Sequence, residues 1–89
     1  MINLYKFSTS TCQPCKIMND RIKDIDFMIE YGTLIHHIDV DKDKDLAIKF
    51  NVKAVPTFAI TDDHDNLLRT KVGAITVKEL EDFIIGQPS

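Results

Sequence analysis

Cys12 and Cys15 enclose Gln13-Pro14, giving a C-x-x-C spacing. If Cys12 lies at the mouth of a helix and Cys15 one turn inside, unpaired backbone N–H groups point at the first sulfur and favour negative charge there. A thiol so placed ionises more readily, and the thiolate is the form that attacks disulfides. Cys12 would then be the exposed attacking group. Cys15, behind it, would resolve the mixed disulfide and release a reduced substrate. Three other readings use the same residues. A structural disulfide across so short a loop adds little stability. Half a zinc site lacks a second cysteine pair, and His36 and His37, adjacent in a strand, point to opposite faces. The cysteines could also be inert core residues. Thiol–disulfide exchange is the reading that the surrounding elements favour.

Those elements follow from the pattern of the chain. Residues 2 to 7 alternate, with Ile2, Leu4 and Lys6 on one face and Asn3, Tyr5 and Phe7 on the other. Ser8-Thr9-Ser10-Thr11 follows, so a strand runs into a loop that ends at Cys12. Pro14 suits the first turn of a helix, where its missing N–H costs nothing. Met18, Ile22, Ile25 and Ile29 repeat at helical spacing, and Gly32 ends the helix. A second strand is expected over Leu34 to Val40. A short helix is expected from Asp43 to Phe50, with Leu46, Ala47 and Phe50 on one side and Asn51 at its end.

A third strand is expected over Val55 to Ile60, with Pro56 at its start, a place that tolerates proline. The polar turn Asp62-Asp63-His64-Asp65-Asn66 joins it in a hairpin to a fourth strand, Leu67 to Val72, which Gly73 breaks. Thr76 and Glu79 form a capping box for a last helix, with Val77, Leu80 and Ile84 as its buried stripe. The order is β-α-β-α-β-β-α. Strands joined through a helix pair in parallel and hairpin strands pair antiparallel. The expectation is an α/β fold, a four-stranded mixed sheet flanked by helices, in one domain over residues 1–89.

Composition narrows the classes of function. The 89 residues carry a formal charge of −3 with mixed signs, which gives no basic patch for nucleic acid. The apolar share of 44% is enough for one core. A domain this size buries only about 60–65% of its unfolded surface, so its stability margin is thin. No apolar run approaches the ~20 residues needed to span a bilayer, and no membrane partner is expected. Met1 to Phe7 lacks the basic start and long apolar core of a signal peptide. The expected location is therefore the cytoplasm, where thiols are kept reduced and a cysteine pair serves catalysis or metal binding more often than stapling.

Three segments together resemble the thioredoxin family, over nearly the whole chain. Ser8 to Lys16 sits where that family carries its active-site loop. Ala54-Val55-Pro56-Thr57 resembles its cis-proline loop, at a distance from Cys12 that suits a full thioredoxin core. Lys71-Val72-Gly73-Ala74 resembles its last strand and glycine turn. The resemblance implies a thioredoxin-like fold and reduction of protein disulfides, with Cys12 as nucleophile and Cys15 as resolving thiol. It implies that Pro56 is cis and lies against the dithiol, and that Val55 offers its backbone to an extended substrate segment. Thr11, Gln13, Pro14, Val55, Pro56 and Gly73 would meet the substrate. Gly73 would either let it approach closely or simply turn the chain. No cofactor is implied beyond the Cys12–Cys15 disulfide. The implied partners are disulfide proteins such as ribonucleotide reductase, and a thioredoxin reductase or glutathione as electron donor, with the chain acting as a monomer.

The chain departs from the family in several places. The family's first strand and helix have no counterpart. Thr11 replaces the usual tryptophan, and Gln13-Pro14 replaces Gly-Pro. Lys6 stands where a buried acid is expected, and His37 where a lysine usually neighbours that acid. Lys6 and His37 are the candidates for proton transfer: a charged lysine cannot accept a proton and would act as a base only if burial left it neutral, whereas a Lys6 that stays charged near the dithiol would favour thiolate and leave His37, a residue type whose unperturbed pKa lies near neutrality, as the better carrier. The plainer expectation for Lys6 is that its stem is buried while its ammonium reaches water. A glutathione-linked glutaredoxin is an alternative, although Val72-Gly73-Ala74-Ile75 lacks that family's glycine pair and acidic residues. A redox-inactive binding module on the same fold is another.

Overall fold

The structure, a computed structural model, describes residues 2–24 and 33–86. Strand β1 spans Ile2–Ser8, helix α1 Gln13–Asp24, β2 Thr33–Asp39, α2 Lys44–Lys49, β3 Thr57–Thr61, β4 Leu67–Val72 and α3 Val77–Ile85. The sheet order is β2-β1-β3-β4. β1 pairs in parallel with β2 and antiparallel with β3, and β3 pairs antiparallel with β4. The four-stranded mixed sheet and the element order agree with the pattern of the chain.

The alternation of β1 divides the interior into two layers. Leu4 joins Met18 and Ile22 of α1, Phe58 and Ile60 of β3, and Leu80, Phe83 and Ile84 of α3 on one face. Phe7 joins Ala59 of β3 and Phe50, at the end of α2, on the other, with Tyr5, Leu46 and Val52 packed against them. Each fully buried aliphatic or aromatic side chain contributes about 1.5–3 kcal/mol. The two layers thus clamp β1 and β3 from both sides.

Several boundaries differ from the sequence pattern. Asp43 and Phe50 are not within α2 but cap it, with the Asp43 carboxylate accepting from the Leu46 N–H. β2 starts and ends one residue earlier than expected, although the Val40 N–H still bonds the Ser8 carbonyl. β3 begins at Thr57 and not at Val55. Pro56 has no N–H to give the ladder, while its carbonyl accepts from Gly73 N–H at 2.8 Å. Ile25, Ile29 and Gly32 lie outside the described residues. Phe83, not counted in the expected stripe of α3, is buried beside Leu80 and Ile84.

The capping box of α3 is complete. The Glu79 N–H bonds the Thr76 hydroxyl at 3.1 Å, and the Thr76 N–H bonds the Glu79 carboxylate at 3.4 Å. Gly86 closes the other end in the left-handed region at φ 81. Thr76→Ala is expected to lower stability by about 1 kcal/mol. In a domain this small that is a fall of roughly 4–8 °C in the melting temperature, measurable by circular dichroism.

Candidate active site

The site forms where the two inner strands of the sheet meet. β1 ends at Ser8 and the chain loops through Thr9-Ser10-Thr11 to Cys12. The Cys12 carbonyl accepts the first helical bond from Lys16 N–H at 3.3 Å, so Cys12 caps α1 and Cys15 lies within its first turn. Cys12 and Cys15 form a disulfide. The Cys15 N–H donates to Cys12 Sγ at 3.2 Å. This is one of the backbone donors that a helix start leaves free, now aimed at the first sulfur. Cys12 is partly exposed, whereas Cys15 is only 1% exposed. One sulfur can be reached from outside and the other cannot. Thr11, Gln13 and Pro14 surround the pair and are all exposed.

Because β3 runs antiparallel to β1, its start lies at the same sheet end as the close of β1. The segment before β3 therefore comes to the dithiol side. The Val55–Pro56 peptide bond is cis. Thr57 Oγ1 donates to the Ala54 carbonyl at 2.6 Å and fixes this loop from below. Val55 is half-buried, and no backbone hydrogen bond engages it among the described residues. Gly73 has φ +100, a conformation that side-chain-bearing residues rarely adopt, and a Cβ there would meet nothing within 4 Å. Gly73 thus turns the chain after β4 without being crowded. Beside Val55 lies a shallow groove of about 190 Å³, lined by Thr9, Val40, Val52, Lys53, Ala54 and Val55. Val40 and Val52 carry no motif that would have singled them out in the sequence.

Lys6 behaves differently from the sequence expectation. It does not extend its ammonium into water but is 1% exposed, among the most buried side chains of the protein. The reason is its place in β1, on the same face as Leu4 and under α1. Its Nζ donates to Asn19 Oδ1, one turn beyond Cys15 on α1. Burial pushes its pKa below the ordinary lysine value. His37 is exposed and sits beside Lys6 in the parallel ladder of β2 and β1. His36 faces the other way, bonded to Asn3 at 3.0 Å and stacked on Tyr5. Among the described residues, no group of three or more His, Cys, Asp or Glu is placed to hold a metal ion. No described helix is long and apolar enough to cross a membrane.

The thioredoxin family model matches residues 2–86. The chain is 31% identical over 81 residues to a thioredoxin of Buchnera aphidicola subsp. Baizongia pistaciae (strain Bp), spanning 91% of this chain and 73% of that protein. Among solved structures it resembles the oxidized mitochondrial thioredoxin 3 of Saccharomyces cerevisiae. That match has a TM-score of 0.82 at 28% identity and covers 96% of this chain and 77% of the yeast chain. The germline-specific thioredoxin Deadhead of Drosophila melanogaster superposes with a TM-score of 0.86 at 25% identity, covering 96% of this chain and 79% of its own. With a C-x-x-C disulfide at a helix start and the family model matched over residues 2–86, this chain belongs to the thioredoxin family and is a protein thiol–disulfide oxidoreductase.

Proposed function

We propose that the protein reduces disulfides of other proteins in the cytoplasm, with Cys12 as the attacking thiol and Cys15 as the resolving one. The observation that carries this reading is the asymmetry of the pair. Cys12 is partly exposed and accepts the Cys15 N–H at 3.2 Å, while Cys15 is 1% exposed. An exposed sulfur with a backbone donor aimed at it is the one stabilised as thiolate.

The Cys12 thiolate attacks one sulfur of the substrate disulfide. A Cys12–substrate bond forms, and the other substrate sulfur leaves as thiolate. The Cys15 thiolate then attacks Cys12 Sγ, closing the Cys12–Cys15 disulfide and expelling the second substrate thiolate. Two electrons pass to the substrate, which takes up two protons, and an external donor restores the dithiol. Val55, with no backbone partner among the described residues, offers its N–H and carbonyl to an extended substrate segment. Thr11, Gln13, Pro14, Pro56 and Gly73 frame that approach.

Ribonucleotide reductase is one candidate substrate, and a thioredoxin reductase is the favoured donor over glutathione. The Val72-Gly73-Ala74 turn supplies no glycine pair for glutathione. The test is insulin reduction followed by turbidity, with two regenerating systems in parallel. Thioredoxin reductase with NADPH is expected to sustain turnover several-fold faster than glutathione with glutathione reductase. The reverse order would assign the protein to glutathione-linked chemistry. No acceleration with dithiothreitol either would leave a binding module.

A further inference from the structure

Among the described residues, Lys6 is the one deeply buried charged side chain, and the exchange reaction does not explain it. Lys6 and Cys15 are each 1% exposed. The Lys6 ammonium ends on Asn19 Oδ1. Cys15 and Asn19 are four residues apart on α1, a spacing that puts their Cβ atoms about 5–6 Å apart on one helix face. The ammonium is therefore bonded to a residue one helical turn beyond Cys15 on α1.

The charges around it are few. On β2, His37 is its neighbour in the ladder. On β3 its partner is Phe58, which carries none. Beyond Phe58, Lys71 of β4 pairs with Glu79 of α3 at 3.9 Å. On α1, Arg21 is turned onto the Ile75 carbonyl. Among the described residues no carboxylate pairs with Lys6. Its acceptor among the described residues is a neutral amide, which compensates a buried cation poorly. Reduction of the disulfide frees a thiol at Cys15 that can ionise.

We propose that Lys6 is an electrostatic positioning residue that favours the Cys15 thiolate, lowering the pH at which the inner thiol ionises and biasing the pair toward its reduced form. The proposal rests on the assignment of Cys15 as the resolving thiol. It gives this chain a buried cation in place of a proton-accepting group beside that thiol, so the resolving step begins from a sulfur already ionised. The proton that Cys15 loses passes to solvent.

The test is the thiolate absorbance of Cys15 against pH in a Cys12→Ser background, where it is the only thiol. Lys6→Met keeps the length of the stem and removes the charge. It is expected to raise the Cys15 midpoint by about one pH unit or more, the scale of a close opposite charge. Lys6→Arg, which keeps the charge, is expected to hold the midpoint near its original value. In the protein with both cysteines, Lys6→Met should also shift the equilibrium with glutathione toward the disulfide. A folded Lys6→Met protein whose midpoint does not rise would overturn the proposal. Should that variant not fold, Lys6→Gln decides, because its amide removes the charge and can still bond Asn19. A raised midpoint in Lys6→Gln supports the proposal and an unchanged one refutes it. Wild-type inactivity on insulin would instead sink the dithiol reading, and this titration of Cys15 does not depend on that activity.

Discussion

A reduced Cys15→Ser protein is expected to accumulate as a mixed disulfide with its substrate, whereas a reduced Cys12→Ser protein stays monomeric and inert. Both variants should lose turnover to background, so activity alone does not separate the two cysteines. Trapping does. Cys12 can be reached from outside and its sulfur receives the Cys15 N–H, so it starts the exchange without help from its partner. Once bonded to substrate, it can be released only by the sulfur behind it. Cys15 alone is 1% exposed, and an incoming disulfide cannot reach it. Non-reducing electrophoresis after mixing with a disulfide-bearing protein reads the difference directly. Equal trapping by both single variants would mean that the burial asymmetry does not set the order of attack.

The largest effect on stability is expected at Phe58. Its side chain is fully buried, it is the second residue of β3, and it pairs with both Lys6 on β1 and Lys71 on β4. It packs with Leu4, Met18 and Leu80, so it joins the sheet to α1 and α3 together. Phe58→Ala removes the ring and leaves a void that three elements would have to collapse around, at about 3–5 kcal/mol. Native domains hold about 5–15 kcal/mol in total, and small ones sit toward the lower part. The variant is therefore expected to be largely destabilised, with its urea midpoint lowered by roughly 1–3 M. Ile48→Ala is the control. Ile48 is 76% exposed, and its loss should change stability by no more than about 0.5 kcal/mol. Similar losses in the two variants would show that Phe58 does not hold the layers together.

The parts of this protein that were readable from sequence are those set by local chemistry. Thr76 and Glu79 form their capping box because the two groups are three residues apart, whatever the rest of the chain does. The Leu67–Val72 strand and the Cys12 helix start are of the same kind. The start of β3 was harder, since Pro56 reads as a strand residue until Gly73 is seen to use its carbonyl from the far side of the hairpin. Lys6 shows the limit most clearly. Its alternation with Ile2 and Leu4 already placed it on the core face, but its charge argued for water. Only the packing of α1 over β1, with Asn19 as hydrogen-bond acceptor, decides between them. Asn19 itself could have been noticed as the residue one turn beyond Cys15, though nothing in its type marks it. The groove wall at Val40 and Val52 comes from two separate loops and has no local signature.

The strand order has a consequence for how the molecule breathes. The disulfide loop leaves β1 and the proline loop enters β3, and these two are the inner strands of the sheet. Fraying of an open sheet begins at its margins, where each strand is bonded on one side only. Here the margins are β2 and β4, and neither bears a cysteine. Partial openings that release β2 from β1 leave the β1–β3 ladder, and with it the spacing between Cys12 and Pro56, intact. The redox centre is thus anchored in the last part of the sheet to come apart, so a short chain with a thin stability margin can loosen its borders and still keep its reacting sulfurs in place.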